Sequence, residues 1–275
     1  MKIAVCLHGL ARGSSVQADG AYLEKFSTLL EKIGESDVFI HSWDEDIKDE
    51  LLELFKPIEY LIEPQKSFEE ELDSFKDREF SPQGMLYEST PIAQGHLFRT
   101  LSFLYSRKKA IELKGRHEEK NNFVYDVVLT SRFDVGHHKQ GCNKTSHLNF
   151  DPSLDMTKIY QAYWDQTNAG SSDHWFYSNS KNIEMLSTMY EEVFNYLKKD
   201  SKYSELCREG WPLSNKGNEF SGELFKKERS TDLAKYIKGE NVLINNHCLY
   251  KFHLMENQMW DDGQSVFLNK DLWDG

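Results

Sequence analysis

Short apolar runs alternate with amphipathic segments along the chain, and this alternation predicts an α/β fold. We interpret as strands the runs Lys2–Leu7, Asp37–His41, Ile58–Ile62, Val127–Ser131, Lys158–Trp164, Asp173–Tyr177 and Val242–Asn246. We interpret as helices the amphipathic segments at about residues 21–33, 46–56, 90–113, 180–197 and 218–227. The first strand, helix and strand form a βαβ unit, so the sheet is expected to be mostly parallel.

The segment Tyr125–Val135 is the one around which we expect the site to be built. Its apolar run, Val127–Ser131, is followed at once by Arg132 and Asp134. Ligands of parallel α/β sheets bind beyond the carboxyl ends of the strands, so Asp134 is expected at the mouth of a cleft. A carboxylate there can bind a divalent cation that also holds a diphosphate. The alternative interpretation is a local ion pair between Arg132 and Asp134.

Two other strand ends carry candidate binding residues. The loop after the first strand contains His8, Gly9 and Arg12. Gly9 lets the backbone come close to a ligand, and Arg12 can pair with a phosphate, although an ordinary strand-to-helix turn has a similar composition. Asp44, after the second strand, is placed either to contact a ribose or to cap the next helix.

The predicted helix at about residues 90–113 is locally basic. We expect Arg99 to reach the cleft. We expect the other cations of this region to be solvated, namely Arg107, Lys108, Lys109 and Arg116.

Composition limits the classes of protein that fit. The chain has 275 residues, a hydrophobic fraction of 39% and a formal net charge of -12. It fits one large domain at residues 1–255 with a tail or flap at 256–275, and the acidity argues against a general nucleic-acid or anionic-membrane surface. Its four cysteines form no C-x-x-C pair, so a zinc or redox motif is not expected. No apolar run reaches membrane-spanning length, so we expect a soluble, cytoplasmic protein.

Five segments, taken in order, resemble the GT-A type glycosyltransferases of capsule and lipopolysaccharide gene clusters and of large viruses and phages. They are the strand and G-x-x-R loop at 3–12, the strand and polar end at 37–44, the helix at 91–113, the R-x-D segment at 125–135 and the S-S-D-H-W-F-Y segment at 171–177. The resemblance covers roughly residues 1–255. It implies a Rossmann-like, mostly parallel sheet flanked by helices, with helical or irregular C-terminal additions. It also implies transfer of a sugar from a nucleotide-diphosphate sugar to a hydroxyl acceptor.

The resemblance assigns roles to individual positions. His8, Gly9 and Arg12 would line the diphosphate, Asp44 would lie near the nucleoside, and Arg132 would lie near the diphosphate or the donor sugar. Asp134 would hold Mn²⁺ or Mg²⁺, with His247 as a second metal ligand or, alternatively, a core or capping residue. The D-x-D motif of many GT-A enzymes is absent, because Arg132 occupies the position of its first carboxylate.

An inverting transferase also needs a group that takes the proton of the acceptor hydroxyl. Asp173 is our first candidate, because it lies at the mouth of a predicted strand after a Gly-Ser-Ser loop. Glu219 is the second, since it shares a predicted helix with Glu223 at a spacing where like charges repel on an exposed face. A solvated helix is the alternative interpretation of that pair, and a retaining enzyme would need neither base.

Two other functions fit the same pattern. A phage-type DNA glycosyltransferase would use the same donor and a hydroxymethylated base as acceptor in place of a glycan, acting in the host cytoplasm. Its basic acceptor groove would come from residues 99–116 or 139–144. A catalytically silent sugar- or nucleotide-binding module would account for the missing carboxylate. The sequence predicts no particular donor sugar or oligomeric state.

Overall fold

The computed structural model describes residues 1–11, 30–31, 33–78, 80–82, 92–133, 150–162, 171, 173–208, 242–260 and 265–268. These residues form nine strands and seven α-helices, which confirms the α/β class. Seven strands form one sheet in the order β3-β2-β1-β5-β7-β6-β9, and four of its six strand pairs are parallel. The predicted mostly parallel sheet is therefore confirmed, with β7 as the one reversed strand.

The strands have the following bounds. They are β1 Ile3–Gly9, β2 Asp37–Ser42, β3 Glu59–Ile62, β4 Phe80–Pro82, β5 Val127–Arg132, β6 Ile159–Ala162, β7 Trp175–Ser178, β8 Val242–Ile244 and β9 Ser265–Leu268. The two short strands β4 and β8 pair with each other in a separate parallel sheet. Strand β7 begins two residues later than predicted, which leaves Asp173 in the loop just before it.

The helices cover both faces of the main sheet. They are α1 Lys48–Phe55, α2 Glu69–Asp73, α3 Ile92–Asn121, α4 Ser180–Ser187, α5 Met189–Tyr196, α6 Lys202–Arg208 and α7 Asn246–Glu256. Successive residues of a strand point to opposite faces, so Ala4 and Cys6 of β1 enter the core beneath α3, whereas Val5 and Leu7 enter the core beneath α1. Helix α3 is the element that packs most widely on the strands carrying the candidate site.

Three helical predictions differ from the structure. Helix α3 continues eight residues beyond the predicted end at Leu113. The predicted single helix at 180–197 is divided at Thr188 into α4 and α5, and α6 and α7 occupy segments where no helix was predicted. The predicted helix at 218–227, and most of the one at 21–33, lie outside the described residues.

The extra length of α3 has a physical cause in the side chain of Lys114. Its ammonium group is fully buried and donates to Glu118 one turn later at 2.7 Å, and to Glu184 of α4 at 2.7 Å. Polar residues of this last part of α3 therefore face the protein interior, whereas the sequence pattern indicated a polar loop. In the part of the chain that the structure describes, we find no helix whose length and apolar character would let it cross a lipid bilayer.

Candidate functional site

The carboxyl ends of the parallel strands and the start of the reversed strand meet at one edge of the sheet. His8 of β1 is in register with Arg132 of β5, and Gly9 is in register with Ser42 of β2. Because β7 runs antiparallel to β5, its first residues lie beside the last residues of β5. The backbone N–H of Arg132 accordingly donates to the carbonyl oxygen of His174 at 3.1 Å.

Six polar side chains gather at this edge, and we call them the edge cluster: His8, Arg107, Arg132, Asp173, Asn246 and His247. Asp173 is at its centre. One carboxylate oxygen, Oδ1, lies 3.3 Å from Nη1 of Arg132 and 3.9 Å from Nδ1 of His247. The other, Oδ2, accepts from the side-chain amide of Asn246 at 3.4 Å. Strand β5 and helix α7 thus both place side chains against one carboxylate.

Asp173 is ionised because of this environment. Its side chain is only 8% exposed, and burial on its own raises the pKa of a carboxyl group. The positive charges of His247, Arg132, His174 and Arg107 outweigh the effect of burial and hold the pKa of Asp173 well below its usual range. A carboxylate with so low a pKa is a weak proton acceptor, although it remains a strong partner for cations.

His247 lies in the first turn of α7. The side chain of Asn245 caps this helix by accepting from the N–H of Cys248. Nδ1 of His247 lies 2.8 Å from the carbonyl oxygen of Ser171, and the N–H of Ser171 donates to the carbonyl of His247. With Nδ1 directed at this carbonyl, Nε2 is the ring nitrogen left for a metal, an arrangement typical of metal-binding histidines. No group of three or more His, Cys, Asp or Glu side chains suited to a metal occurs among the described residues.

Arg107 of α3 is a buried member of the edge cluster and is only 1% exposed. Its Nε donates to Nε2 of His8 at 3.0 Å, and its Nη2 donates to the backbone carbonyl of Asp173 at 2.7 Å. The guanidinium carbon lies 4.7 to 5.1 Å from the ring centres of Phe103, Phe176 and Tyr250. The prediction that this cation is solvated was wrong.

His8 is neutral in this setting. Burial, together with the charges of Arg107 and Arg132, lowers the pKa of His8 well below its usual range. Because Nε2 accepts from Arg107, the proton of the neutral ring lies on Nδ1. This buried Nδ1 has no hydrogen-bond partner within the described residues, and neither have Nη1 of Arg107 and Oδ1 of Asn246.

A second group of hydrogen bonds holds the loop that follows β1. Gly9 has a φ of 102°, and its N–H donates to the hydroxyl of Ser106 at 2.7 Å. The ring of His41 lies between this hydroxyl and the carboxylate of Glu63. Its Nδ1 is 2.7 Å from the hydroxyl oxygen of Ser106, and its Nε2 is 3.1 Å from a carboxylate oxygen of Glu63. Asp44 accepts from the N–H of Ala11 at 2.6 Å and therefore fastens the loops after β1 and β2 together.

The predicted site residues divide into three groups. His8, Arg132, Asp173 and His247 lie together in the edge cluster; Gly9 is the last residue of β1, and Asp44 lies in the loop after β2. Arg99 is exposed on the first part of α3, and no contact within the described chain joins it to the cluster. Arg12, Asp134 and Glu219 lie outside the described residues, so their roles stay predictions.

The sequence interpretation missed Arg107, Ser106 and Asn246. For Arg107 a signal was available, because it lies three residues after Leu104 and four before Ile111 on the apolar face of α3. A residue at such a position lies on the side of the helix that faces the core. For Asn246 the signal was the start of a helix that we had not predicted.

Comparison with protein-family models, with curated proteins and with solved structures finds no match for this chain. The candidate site therefore has to be interpreted from its own geometry.

Proposed function

We propose that the protein is a glycosyltransferase of GT-A type that transfers a sugar from a nucleotide-diphosphate donor to a hydroxyl acceptor. The observation that supports this most is the contact of Asp173 with Arg132 and His247 at the carboxyl edge of the sheet. In the main sheet, β2 and β3 lie on one side of β1, whereas β5 lies on its other side. A strand order that reverses in this way creates the crevice in which α/β proteins bind nucleotides.

The charges of the site suit a leaving diphosphate. Glycosyl transfer proceeds through an oxocarbenium-like transition state, and negative charge grows on the departing phosphate. Arg132 lies at the edge with its side chain 30% exposed, so it can reach a bound diphosphate. A divalent cation, with Asp134 and His247 as its predicted ligands, would offset the same charge.

Donor binding provides a route by which Asp173 becomes a better base. The diphosphate competes with Asp173 for Arg132, and each contact that Arg132 transfers to phosphate removes positive charge from the carboxylate. The pKa of Asp173 then rises towards the range in which a carboxylate accepts a proton effectively. In this proposal the base is activated only once the donor is bound, which limits proton abstraction in the absence of donor. Glu219 is the second candidate for the same role.

A donor screen tests the proposal. The full chain is incubated with UDP-, GDP-, CDP- and TDP-sugars and CMP-sialic acid in the presence of Mn²⁺ or Mg²⁺, and released nucleotide is measured. We expect one nucleotide class to be hydrolysed slowly or transferred, with Asp173→Asn reducing turnover by about 100-fold or more while donor binding persists. Glycan acceptors and DNA containing hydroxymethylated bases, added in parallel, separate the two acceptor classes.

A silent nucleotide-binding module is the second candidate, and the lowered pKa of Asp173 is the observation that favours it. A carboxylate held permanently as an anion can orient a sugar hydroxyl without accepting its proton. This candidate predicts saturable donor binding with no released nucleotide for any donor and acceptor pair. Absence of both binding and release across the screen would reject both candidates.

A further inference from the structure

Arg107 is a buried cation to which no carboxylate within the described chain is ion-paired. Within the described chain its guanidinium donates to a neutral imidazole and to a backbone carbonyl, and it lies against aromatic rings that include Tyr250. Burying a charge that has no ion-pair partner costs free energy, so a cation in this position indicates that an anionic ligand binds nearby. The aromatic rings reduce that cost, because the face of each ring attracts a cation.

A second buried cation on the same face of α3 differs from Arg107, because it has carboxylate partners. Lys114 is equally buried, but Glu118 and Glu184 pair with it, and its role is to hold α3 against its neighbours. Seven residues earlier, Arg107 points to the carboxyl edge of the sheet and has unpaired buried donor capacity on Nη1. The same helix therefore carries one buried cation that is ion-paired with carboxylates and one that, within the described chain, is not.

We propose that Arg107 is a positioning residue that supports the donor diphosphate from the buried side of the edge cluster. It does so in two ways, and the inference rests on the proposed function. Its charge provides a positive potential at the edge, in surroundings of low dielectric where the effect is large. Its forked donors also hold the ring of His8 with the proton on Nδ1 and fix the backbone of Asp173.

Titration calorimetry of the full chain measures the binding of inorganic pyrophosphate in the presence of Mn²⁺. This measurement tests the inference without knowledge of the donor sugar. Arg107→Met removes the charge but preserves much of the side-chain volume, and we expect its affinity to fall by about tenfold or more. Arg208→Met is the matched control. Arg208 is an exposed guanidinium on α6 that also donates to a backbone carbonyl, that of Lys199 at 3.0 Å, and we expect its loss to change affinity by less than about twofold.

Arg107→Lys separates charge from shape. A lysine at this position faces His8, Arg132, Asp173 and Tyr250, and its amine would lose its proton readily because it is buried. Burial lowers the pKa of Lys251, a lysine native to this protein, to about 8. The affinity of Arg107→Lys relative to wild type should therefore decline between about pH 6.5 and about pH 8.5, whereas the arginine stays charged throughout.

The outcomes decide between the hypotheses. A loss of affinity in Arg107→Met of less than about tenfold overturns the inference, and so does a deficit of Arg107→Lys that does not change with pH. If Arg107→Met fails to fold, the pH trend of Arg107→Lys decides alone. Pyrophosphate binding by the wild type with no effect of either variant rejects the role of Arg107 and leaves the proposed function standing. No pyrophosphate binding by the wild type rejects both.

Discussion

At the scale of single residues, the site depends on nearby cations that lower the pKa of one carboxylate, Asp173. The pKa of Asp173 is lower in the folded chain than the ordinary value of 3.8. An ionised carboxylate with a lowered pKa stabilises the folded state at every pH above that ordinary value, and the contribution disappears only as the pH falls through the folded pKa. The ionised form therefore stabilises the protein across the whole neutral range.

Asp173→Asn tests this control of charge. We expect the variant to be less stable than wild type by about 2 kcal/mol near neutral pH, because Arg132 loses its charged partner inside a largely buried cluster. Between about pH 8 and pH 5 the difference should not shrink, as measured by urea unfolding at each pH. A difference that grows as the pH falls within that range would mean that the pKa of Asp173 is raised.

Most residues of the edge cluster could be predicted from the sequence, but their burial and protonation could not. His8, Arg132, Asp173 and His247 could be predicted because each follows or precedes an apolar run, and strand ends of an α/β sheet converge. The burial of Arg107 could not be read from its residue type, since it depends on the aromatic rings of β7 and α7 that close around it. Long-range packing of this kind leaves only a weak trace in local periodicity.

At the scale of elements, Lys114 joins three parts of the fold. Its ammonium group contacts the carboxylate of Glu118 in α3. It also contacts the hydroxyl of Ser180 and the carboxylate of Glu184 in α4. The other oxygen of Glu118 accepts from the N–H of Tyr125, just before β5, at 2.7 Å. The end of α3, the start of α4 and the start of the central strand are therefore held by one buried network.

Lys114→Met should destabilise the protein by about 3 to 5 kcal/mol, because it leaves the Glu118 carboxylate buried without a counter-charge. Adding Glu118→Gln should recover at least half of that loss, since glutamine retains an acceptor for the N–H of Tyr125. Urea unfolding of both variants measures the effect. Lys120→Met, an exposed change in the last turn of the same helix, is the control and should stay within about 0.5 kcal/mol of wild type. Equal instability of the single and double variants would contradict the pairing.

The elements that sequence reasoning missed have a common physical character. Helix α6 begins with Lys202 and contains a buried serine, and α7 contains buried Lys251 and His253, so polar types interrupt the apolar stripe on which helix prediction depends. The strands were easier to predict, because β1, β2 and β5 are buried on both faces and their sequences are almost continuously apolar or β-branched.

At the scale of the whole molecule, the main sheet extends into the segment that we had predicted to be a tail or flap. Strand β9 pairs in parallel with β6 over four residues, from Ile159 with Ser265 to Ala162 with Leu268. It forms the last strand of the seven-stranded order, at the end of the sheet opposite β3. Without β9, the N–H and C=O groups along one side of β6 would lose their partners and β6 would become the edge strand. Exposed edges of this kind promote association between molecules.

A chain that ends after Trp260 should therefore be less stable and more prone to associate than the full chain. The lost ladder comprises a few hydrogen bonds at a net value of about 1 kcal/mol each, so we expect a fall of roughly 2 kcal/mol in the free energy of unfolding. Urea unfolding measures the stability, and light scattering over a range of concentrations measures association. A chain that ends after Leu268 keeps β9 and should behave like the full chain in both measurements. If the shorter chain is as stable and as monodisperse as the longer one, β9 contributes nothing to the integrity of the sheet, and residues 1–260 would suffice to hold the edge cluster in place.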